Sequence, residues 1–526
     1  MPNSPMSMPM SVPLSRRTLL GAATAGGGAA LLLPGSPAAA GAKPRVVREL
    51  EEKIQHAMAA YAIPGVSYGL WYRGAEYTGG FGVTDVDHPE PVDADTVFRV
   101  ASTTKTFTGT AVMRLIERGR LDLHRTVRSY LPGFRTADAA ASARVTVAEV
   151  LNHTAGWLGD YFEDFGDGDD ALTRYVAGMS RLPQLTPPGK VFGYNNAALA
   201  LAGRLIEVTT GRSYEDAVRQ LVTAPLGLRH SAFSTAELPG VAVAQSHVPG
   251  PDGEPVAYPP GYRIPRGINA AGGLISSARD QLRWARFHLG DGRVPGSGRR
   301  LLSPWSVRRM QSCPGPGGTL FVELDGAGVT WMLRPTAEGP RVVQHGGDWT
   351  GQHSGFLMVP ARDFALTVLT NSETGPSLLS DLFVDDGALS RFAGVHNLPA
   401  VPRRLSAAEL RPYEGVYSGE QIGFDGEAVV VELELVADAG HLVVRVGGED
   451  AVRLAFYRRD YVLVLAPDGS SASVRANFVR GRGGAVDWLR FGGRLYRHGP
   501  AAGERTRTAR RVPFRLDTLP YVSPAS

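Results

Sequence analysis

A single cysteine, Cys313, in 526 residues rules out an intramolecular disulfide and leaves no Cys-x-x-Cys pair for metal or redox work. Lysine is nearly as scarce. Lys43, Lys53, Lys105 and Lys190 are the only four, and arginine fills every other basic position. Charge of one sign is missing too: of the net +4, Arg16 and Arg17 carry two, so the chain beyond residue 40 is close to neutral. It has no basic block large enough to suggest nucleic acid. His-x-x-x-His and His-x-His pairs do not occur, which argues against zinc. The acidic run 160–170 lacks the periodic oxygen ligands and terminal glutamate of a calcium loop and reads as solvated. No phosphate-cradling glycine loop is present after the N-terminal segment. The expectation is therefore a protein without metal or cofactor, whose partner is a small-molecule or peptide substrate, not nucleic acid.

What is there begins with a leader. Ser15-Arg16-Arg17-Thr18-Leu19-Leu20 opens an Ala/Gly/Leu run that reaches Leu33, followed by Pro34 and Ala38-Ala39-Ala40. A charged start, an apolar middle and a small-residue cleavage site make a signal peptide. The paired arginines match the twin-arginine export signal. The apolar run is short and glycine-rich against the ~20 residues a membrane span needs, so no stable insertion is expected after cleavage before Gly41 or Lys43. No cysteine follows the run to take a lipid. The mature chain is expected outside the cell or in the cell-wall space.

Apolar spacing predicts a helix over 45–60, a strand pair over 66–72 and 75–81, and helices over 106–118, 147–151 and 197–208. Strands resume over 329–333, and a second hairpin spans 355–359 and 364–370, turning at Pro360-Ala361-Arg362-Asp363. An N-terminal strand pair and a C-terminal strand trio, with helices between, predict one mixed sheet closed where the chain ends meet. Composition shifts near Asn397-Leu398-Pro399-Ala400. Beyond it, short alternating segments at 428–436, 441–446, 461–465, 473–478 and 485–491 predict a small antiparallel meander or barrel. The cluster Arg505, Arg507, Arg510 and Arg511 reads as a solvated tail. The expected division is 1–40 leader, 41–400 first domain and 401–526 β-rich domain.

Chemistry concentrates at Arg99-Val100-Ala101-Ser102-Thr103-Thr104-Lys105, where a serine and a lysine stand three apart at a helix start. On a helix those positions share a face, so the Ser102 hydroxyl and Lys105 amine can meet. A serine hydroxyl needs a base within hydrogen-bond reach, and a neutral lysine can be one. Burial and the positive end of the helix dipole both disfavour ammonium. Arginine cannot be deprotonated, which gives meaning to a lysine in so arginine-rich a chain. Gly65-Val66-Ser67-Tyr68-Gly69 fits a nucleophile-elbow pattern, but Ser67 sits inside an alternating strand instead of a strand–turn–helix junction. Two further pieces fit Ser102 and Lys105. Tyr194-Asn195-Asn196 stands ahead of a helix, offering a phenol to relay a proton and an amide to hold a substrate carbonyl. His345-Gly346-Gly347, read as strand, permits close backbone approach, and a backbone N–H there could pair with that of Ser102 as an oxyanion hole.

In this order the pieces resemble the serine β-lactamase and penicillin-binding-protein superfamily, in its class C-like branch with D-aminopeptidase, D,D-carboxypeptidase and esterase relatives. Ser102-Thr103-Thr104-Lys105 matches the first motif and Tyr194-Asn195-Asn196 the second. His345-Gly346-Gly347 stands where most members have Lys-Thr-Gly. Leu151-Asn152-His153-Thr154-Ala155-Gly156 resembles a common segment in which His153 is structural. The resemblance covers 45–392. It implies a mixed α/β fold: a mixed antiparallel sheet with an all-helical lobe and the site between them. The tail resembles the lipocalin-like β-domains attached to some members. It further implies that Ser102 attacks a carbonyl with help from Lys105 and Tyr194, forming an acyl-enzyme. The oxyanion would lie between the N–H groups of Ser102 and Asp348, with Asn196, His345, Gly346 and Gly347 against substrate. Glu149 does not match the class A deacylating glutamate in spacing or order.

Where relatives carry a permanent cation to hold a substrate carboxylate, His345 is mostly neutral at pH 7, with an ordinary pKa of ~6.5. The expected substrates lack a free carboxylate beside the scissile bond: amides of D-residues, or esters. A class C-type β-lactamase or D,D-carboxypeptidase is the alternative enzyme. A penicillin-binding sensor that acylates without turning over is the alternative of another class. The acidic run after Trp157 is a further candidate for attracting a free amine.

Overall fold

The N-terminal hairpin forms where alternation placed it, as strands Gly65–Tyr72 and Ala75–Gly82 turning through Arg73 and Gly74, both at positive φ. The computed structural model describes residues 43–312, 315–385, 387–466, 471–500 and 509–511, residues 471–473 by backbone alone. The expected leader (1–40), its cleavage point before Gly41 or Lys43, Cys313, Arg505 and Arg507 lie outside them.

Strand Gly65–Tyr72 pairs on its other edge with Phe364–Thr370, Val66 opposite Thr370 and Trp71 opposite Ala365. The two ends of the first domain thus close one sheet, as expected. Its order continues through Gln352–Val359, Val342–Gln344, Met332–Arg334 and Gly326–Ala327, with Gly347–Trp349 paired to Gln352–Val359 beside this path. Every pairing in it is antiparallel, so the sheet is not mixed as expected: neighbouring strands are joined by hairpins and by the meeting of chain ends, which bring them side by side in opposite directions. The strand expected over 329–333 is instead broken into a tight hairpin. Thr330 adopts φ 64°, and Gly328 N–H donates to Trp331 O (2.8 Å).

Alternation assigns the two faces of the sheet. Val66, Tyr68 and Leu70 point to helix Arg45–Ala60, which buries Val47, Leu50, Ile54 and Ala57 at helical spacing. Gly69 faces helix Ala278–Leu289; a Cβ there would lie 2.8 Å from Ala278 O and 3.1 Å from Leu282 Cβ. The glycine is what lets the helix seat on the strand. Ser67 is fully buried within this strand, donating to Asp93 O (2.8 Å), with no base beside it.

Helix Thr104–Glu117 lies at the centre of the molecule and is buried almost all round. Four threonines at alternate positions are poor helix formers by side-chain entropy. Here Thr106 Oγ1 donates to Thr103 O (2.8 Å) and Thr110 Oγ1 to Thr106 O (2.9 Å), so the buried hydroxyls are satisfied within the helix. Helix Asn196–Thr210 packs against it, capped by Asn195 Oδ1 accepting from Ala198 N (2.7 Å) and closed by Gly211 at φ 70°. Glu149 is spent on a capping box with Thr146.

The tail is a closed barrel of eight antiparallel strands. Gly415–Ile422 pairs with both Ala428–Asp438 and Arg494–His498, and the strands between follow as a meander. Its interior is filled by residues such as Tyr417, Leu433, Leu442, Leu454, Phe456, Phe478 and Tyr496. Three strands escaped the expectation: Gly415–Ile422, Glu449–Arg458 and Arg494–His498. Arg510 and Arg511 were expected in a solvated tail. They form a short parallel addition beside Val429 and Val430, and Arg511 pairs with Glu432.

The barrel is docked by polar and backbone contacts. Phe162 N–H donates to Ile422 O (2.9 Å), Asp164 N–H to Phe424 O (3.1 Å) and Arg475 N–H to Phe321 O (2.7 Å). Glu323 of the first domain accepts from Tyr457 (2.7 Å), Arg458 (2.6 Å) and Arg475 (3.1 Å).

Candidate active site

Ser102 lies in a 3-10 turn, Ala101–Thr103, between strand Val97–Arg99 and helix Thr104–Glu117. Ala101 holds φ 41°, a conformation that costs an alanine of order 1 kcal/mol and persists because the surroundings fix it. Arg99 N–H donates to Gln352 Oε1 (2.6 Å) and Val100 N–H to Leu274 O (3.1 Å). Val100 O accepts from Ser354 Oγ (2.9 Å). The serine is thereby presented on a rigid elbow while its own side chain stays partly exposed.

Lys105, one turn on, is fully buried, with Nζ 2.9 Å from Ser102 Oγ and 2.7 Å from Ala271 O. Burial above all, then the Arg494 cation, holds its pKa well below the ordinary lysine value, against the opposite pull of Asp160 and Asp348. Tyr194 lies beside both, its ring 5.0 Å from Lys105 Nζ and its phenol hydrogen-bonded to Ser102. Burial drives the phenol pKa up, with Arg494 and the Ser102 bond opposing, so it is a proton donor at neutral pH, not a phenolate.

His345 N–H donates to Phe356 O (3.0 Å), which makes this a hydrogen-bonded pair of the ladder with Gln352–Val359. By the two-residue alternation of antiparallel strands, Gly347 and Trp349 pair likewise, while the N–H of Asp348 turns away from the partner strand. Gly347 packs against the nucleophile turn. A Cβ on it would lie 2.2 Å from Val100 O and 2.7 Å from Ser102 N, so only glycine fits. Thr103 Oγ1 clamps the same edge, 3.0 Å from both His345 O and Ser354 Oγ. The His345 imidazole is buried with Nδ1 2.7 Å from Gly346 O and no partner at Nε2. Burial, then Lys105, pushes its pKa down to about 3, so it is neutral at physiological pH.

The structure thus brings Ser102, Lys105, Tyr194, His345, Gly347 and Asp348 together. Asn196 is placed differently from the expectation that it hold a substrate carbonyl. Its Nδ2 donates to Asp160 Oδ1 (2.7 Å), and both side chains are buried. Asp160 also overturns the reading of 160–170 as wholly solvated: its carboxylate pairs with Arg494 Nε (2.9 Å). Further along, Glu163 pairs with Arg181 and Asp164 with Arg263, leaving Asp169 as the exposed end.

Arg494 comes from the barrel and was not anticipated. The turn Gly492-Gly493 carries it into the first domain, where Tyr194 N–H donates to Gly493 O (2.8 Å). Gly493, at φ 76°, would set a Cβ 3.0 Å from Tyr194 Cβ. The Arg494 guanidinium lies 4.5 Å from the Tyr194 ring centroid, while His153 stacks on that ring at 4.7 Å and 13°. Burial opposes the Arg494 charge, but Asp160 outweighs it and raises the pKa. His153 Nδ1 accepts from Asn195 N–H (2.9 Å), and burial holds its pKa well below normal, so it is a neutral shelf under Tyr194. Among the described residues, no group of His, Cys, Asp and Glu could hold a metal ion, and no helix is long and apolar enough to cross a membrane.

The beta-lactamase protein-family model matches residues 50–388 of the chain. Penicillin-binding protein 4 of Amycolatopsis lactamdurans is 34% identical over 376 residues, covering 70% of this chain and 97% of that protein. The unguisins hydrolase ungD' of Aspergillus campestris is 25% identical over 62% of this chain, which spans 61% of that relative's length. Among solved structures, SurE with D-Leu superposes at a TM-score of 0.67 with 26% identity, covering 86% of this chain and 99% of its own.

Proposed function

This chain belongs to the beta-lactamase family, and from that premise we propose that it is a serine acyl-transfer hydrolase whose nucleophile is Ser102. The observation that carries this reading is the fully buried Lys105 amine 2.9 Å from the Ser102 hydroxyl. A neutral amine at that place donates to Ala271 O and has a lone pair for the serine proton. Ser102 Oγ attacks the substrate carbonyl as its proton passes to Lys105. The N–H groups of Ser102 and Asp348 hold the oxyanion. Tyr194, protonated at rest, hands a proton to the leaving group and is restored from Lys105. Water or an amine then attacks the ester carbonyl, its proton passing through the same pair to Ser102 Oγ, which is released as the hydroxyl. Asn196 contributes by fixing Asp160, and through it Arg494, behind Tyr194.

The substrates proposed are amides of D-amino acids or esters without a carboxylate beside the scissile bond. Neutral His345 supplies no cation there, and the charge of Arg494 is already matched by Asp160. The D-Leu in the structure of SurE supports D-amino-acid chemistry, and the name of the fungal relative supports hydrolysis. Arg16-Arg17 and the run behind them support export by the twin-arginine route.

Purified protein and Ser102→Ala should be compared on D-alanine p-nitroanilide, p-nitrophenyl esters and nitrocefin. The expected order is amide or ester well ahead of nitrocefin, with all three abolished by Ser102→Ala. Activity surviving in Ser102→Ala would return attention to Ser67 and end the assignment. Faster nitrocefin turnover would establish a β-lactamase. A stable penicillin adduct on Ser102 by intact mass, without turnover, would establish a binding protein.

A further inference from the structure

One charged group stands at the oxyanion edge without a role in the acyl transfer just described: the carboxylate of Asp348. Its backbone lies in the strand that touches the Ser102 turn through Gly347, and its carboxylate is close enough to act electrostatically on Lys105, Tyr194 and His345. The side chain is about one third exposed. Its recorded partner is His353 across the strand pair, with Nδ1 3.1 Å from Asp348 Oδ1. No arginine or lysine among the described residues pairs with it.

The other carboxylates near the site differ. Asp160 is buried against Arg494 and Asn196, Asp164 is tied to Arg263, and Glu323 is tied to Arg458 and Arg475. His353 is itself buried, and its Nε2 has no partner in hydrogen-bond reach, standing 3.9 Å from Glu373 Oε2. Glu373 Oε2 is in turn held by Gly351 N–H (2.7 Å) at the hairpin tip. The line Asp348, His353, Glu373 fixes one oxygen of Asp348 and leaves the other for a ligand. A carboxylate with no permanent cation paired to it, beside a reacting carbonyl, attracts a cation and repels an anion.

We propose that Asp348 is a specificity residue that selects a cationic amine on the molecule meeting the Ser102 acyl centre. The amine is either the α-ammonium of the acyl-donating residue or that of an amine acceptor, which binds as the cation and attacks after releasing one proton to solvent; the chemistry recognised is the same. The inference rests on Ser102 being the nucleophile. It moves the amine preference from the acidic run 160–170, whose inner carboxylates are occupied, to the strand.

The test uses ratios within each variant, so that a change in folding or overall rate cancels. Wild type, Asp348→Asn and Asp348→Lys are assayed on D-alanine p-nitroanilide and on its N-acetyl and N-succinyl derivatives. A second arm measures how the acyl-enzyme from a p-nitrophenyl ester divides between glycinamide and methanol. If the amine is on the acyl donor, Asp348→Asn lowers the preference for the free amine over the acetyl derivative by about tenfold, and Asp348→Lys shifts it toward the succinyl derivative. If the amine is the acceptor, the glycinamide share falls by a similar factor. Ratios unchanged in both arms and both variants overturn the proposal. Wild-type rates that persist in Ser102→Ala would instead overturn the nucleophile reading beneath it.

Discussion

Replacing Arg494 by methionine asks whether the barrel takes part in the electrostatics of Lys105. The guanidinium and Asp160 are 13% and 6% exposed and 2.9 Å apart. Removing one partner of a buried pair leaves the other charged and uncompensated, which costs about 3–5 kcal/mol. Asn196 alone would remain to hold Asp160. Removing both charges, Asp160→Asn with Arg494→Met, should recover most of that loss. What stays lost is about 1 kcal/mol for the cation over the Tyr194 ring. The catalytic effect has its own sign. Arg494 lowers the Lys105 pKa while Asp160 raises it. In Arg494→Met the carboxylate acts unopposed, Lys105 holds its proton more tightly, and the acid limb of kcat/KM moves to higher pH. In the double variant both influences vanish and the limb returns toward wild type. Urea titration reads the stability, and a pH profile on the best amide or ester reads the limb. An unchanged acid limb in Arg494→Met, with the double variant no more stable than the single, would refute the reasoning and reduce Arg494 to a staple between domains.

Gly347→Ala should displace the Ser102 turn, since its Cβ would fall 2.2 Å from Val100 O. The expected cost is about 1–3 kcal/mol of stability and roughly 100-fold in kcat, read by thermal melting and steady-state kinetics. A near-wild-type rate would mean the strand is not held against the serine. Stability should also fall with acid before carboxylates titrate. His288 and His345 are both buried with pKa values pushed down to about 3, so the native state keeps them neutral while the unfolded chain takes up protons below ~6.5. Stability is then full above ~6.5 and lost toward pH 3, together about 4 kcal/mol between pH 7 and pH 5. Urea midpoints at the two pH values test this; His153, also buried and held well below its ordinary pKa, adds in the same direction, so His345→Asn should remove about 2 kcal/mol of the total difference. A variant with the wild-type pH dependence would show that His345 is not buried neutral.

What was legible in the sequence was local. The helix 45–60, the hairpins at 65–82 and 352–370, and the meeting of Ser102 with Lys105 each follow from periodicity within a short window. Asn195 as a helix cap and Gly211 as its stop are equally local. The break at 328–331 was hidden because Thr330 at φ 64° looks like a strand residue by type, and the turn is held by contacts distant in sequence: Thr330 packs on Gly109, its N–H donates to Leu151 O (3.1 Å), and Val329 N–H donates to Met310 O (3.0 Å). Asp160 and Asp169 stand in the same acidic run with the same flanks, yet one is buried and the other exposed. Their difference is made by Arg494, 334 positions away. Nothing distinguishes Arg494 from other arginines until the barrel closes and the Gly492-Gly493 turn enters the first domain. One of the three missed barrel strands, Glu449–Arg458, starts on charges that mask its alternation.

The same long-range pairing explains how a buried lysine can be kept neutral without making the site repel everything charged. Desolvation is the largest influence on Lys105, His153 and His345, and it acts in the same direction on all three: each is driven toward its uncharged form. An unpaired arginine in such a place would attract carboxylates strongly and stand in for the missing third-motif cation. Paired with Asp160, it keeps its short-range effect on Lys105 and Tyr194, a few ångströms away, while its field at longer range is cancelled. Among the described groups around the serine, Asp348 is then a carboxylate with no arginine or lysine paired to it. A substrate with a carboxylate beside the scissile bond meets repulsion without a balancing cation, and one with an amine meets the reverse. Restoring the family's usual cation by His345→Lys would therefore act against two features at once, the burial of position 345 and the neutrality of Lys105. That substitution should raise selectivity for nitrocefin over D-alanine p-nitroanilide only at a cost in rate on both. A variant that gained on nitrocefin with no loss on the amide would show that the neutrality of position 345 is not what sets substrate choice.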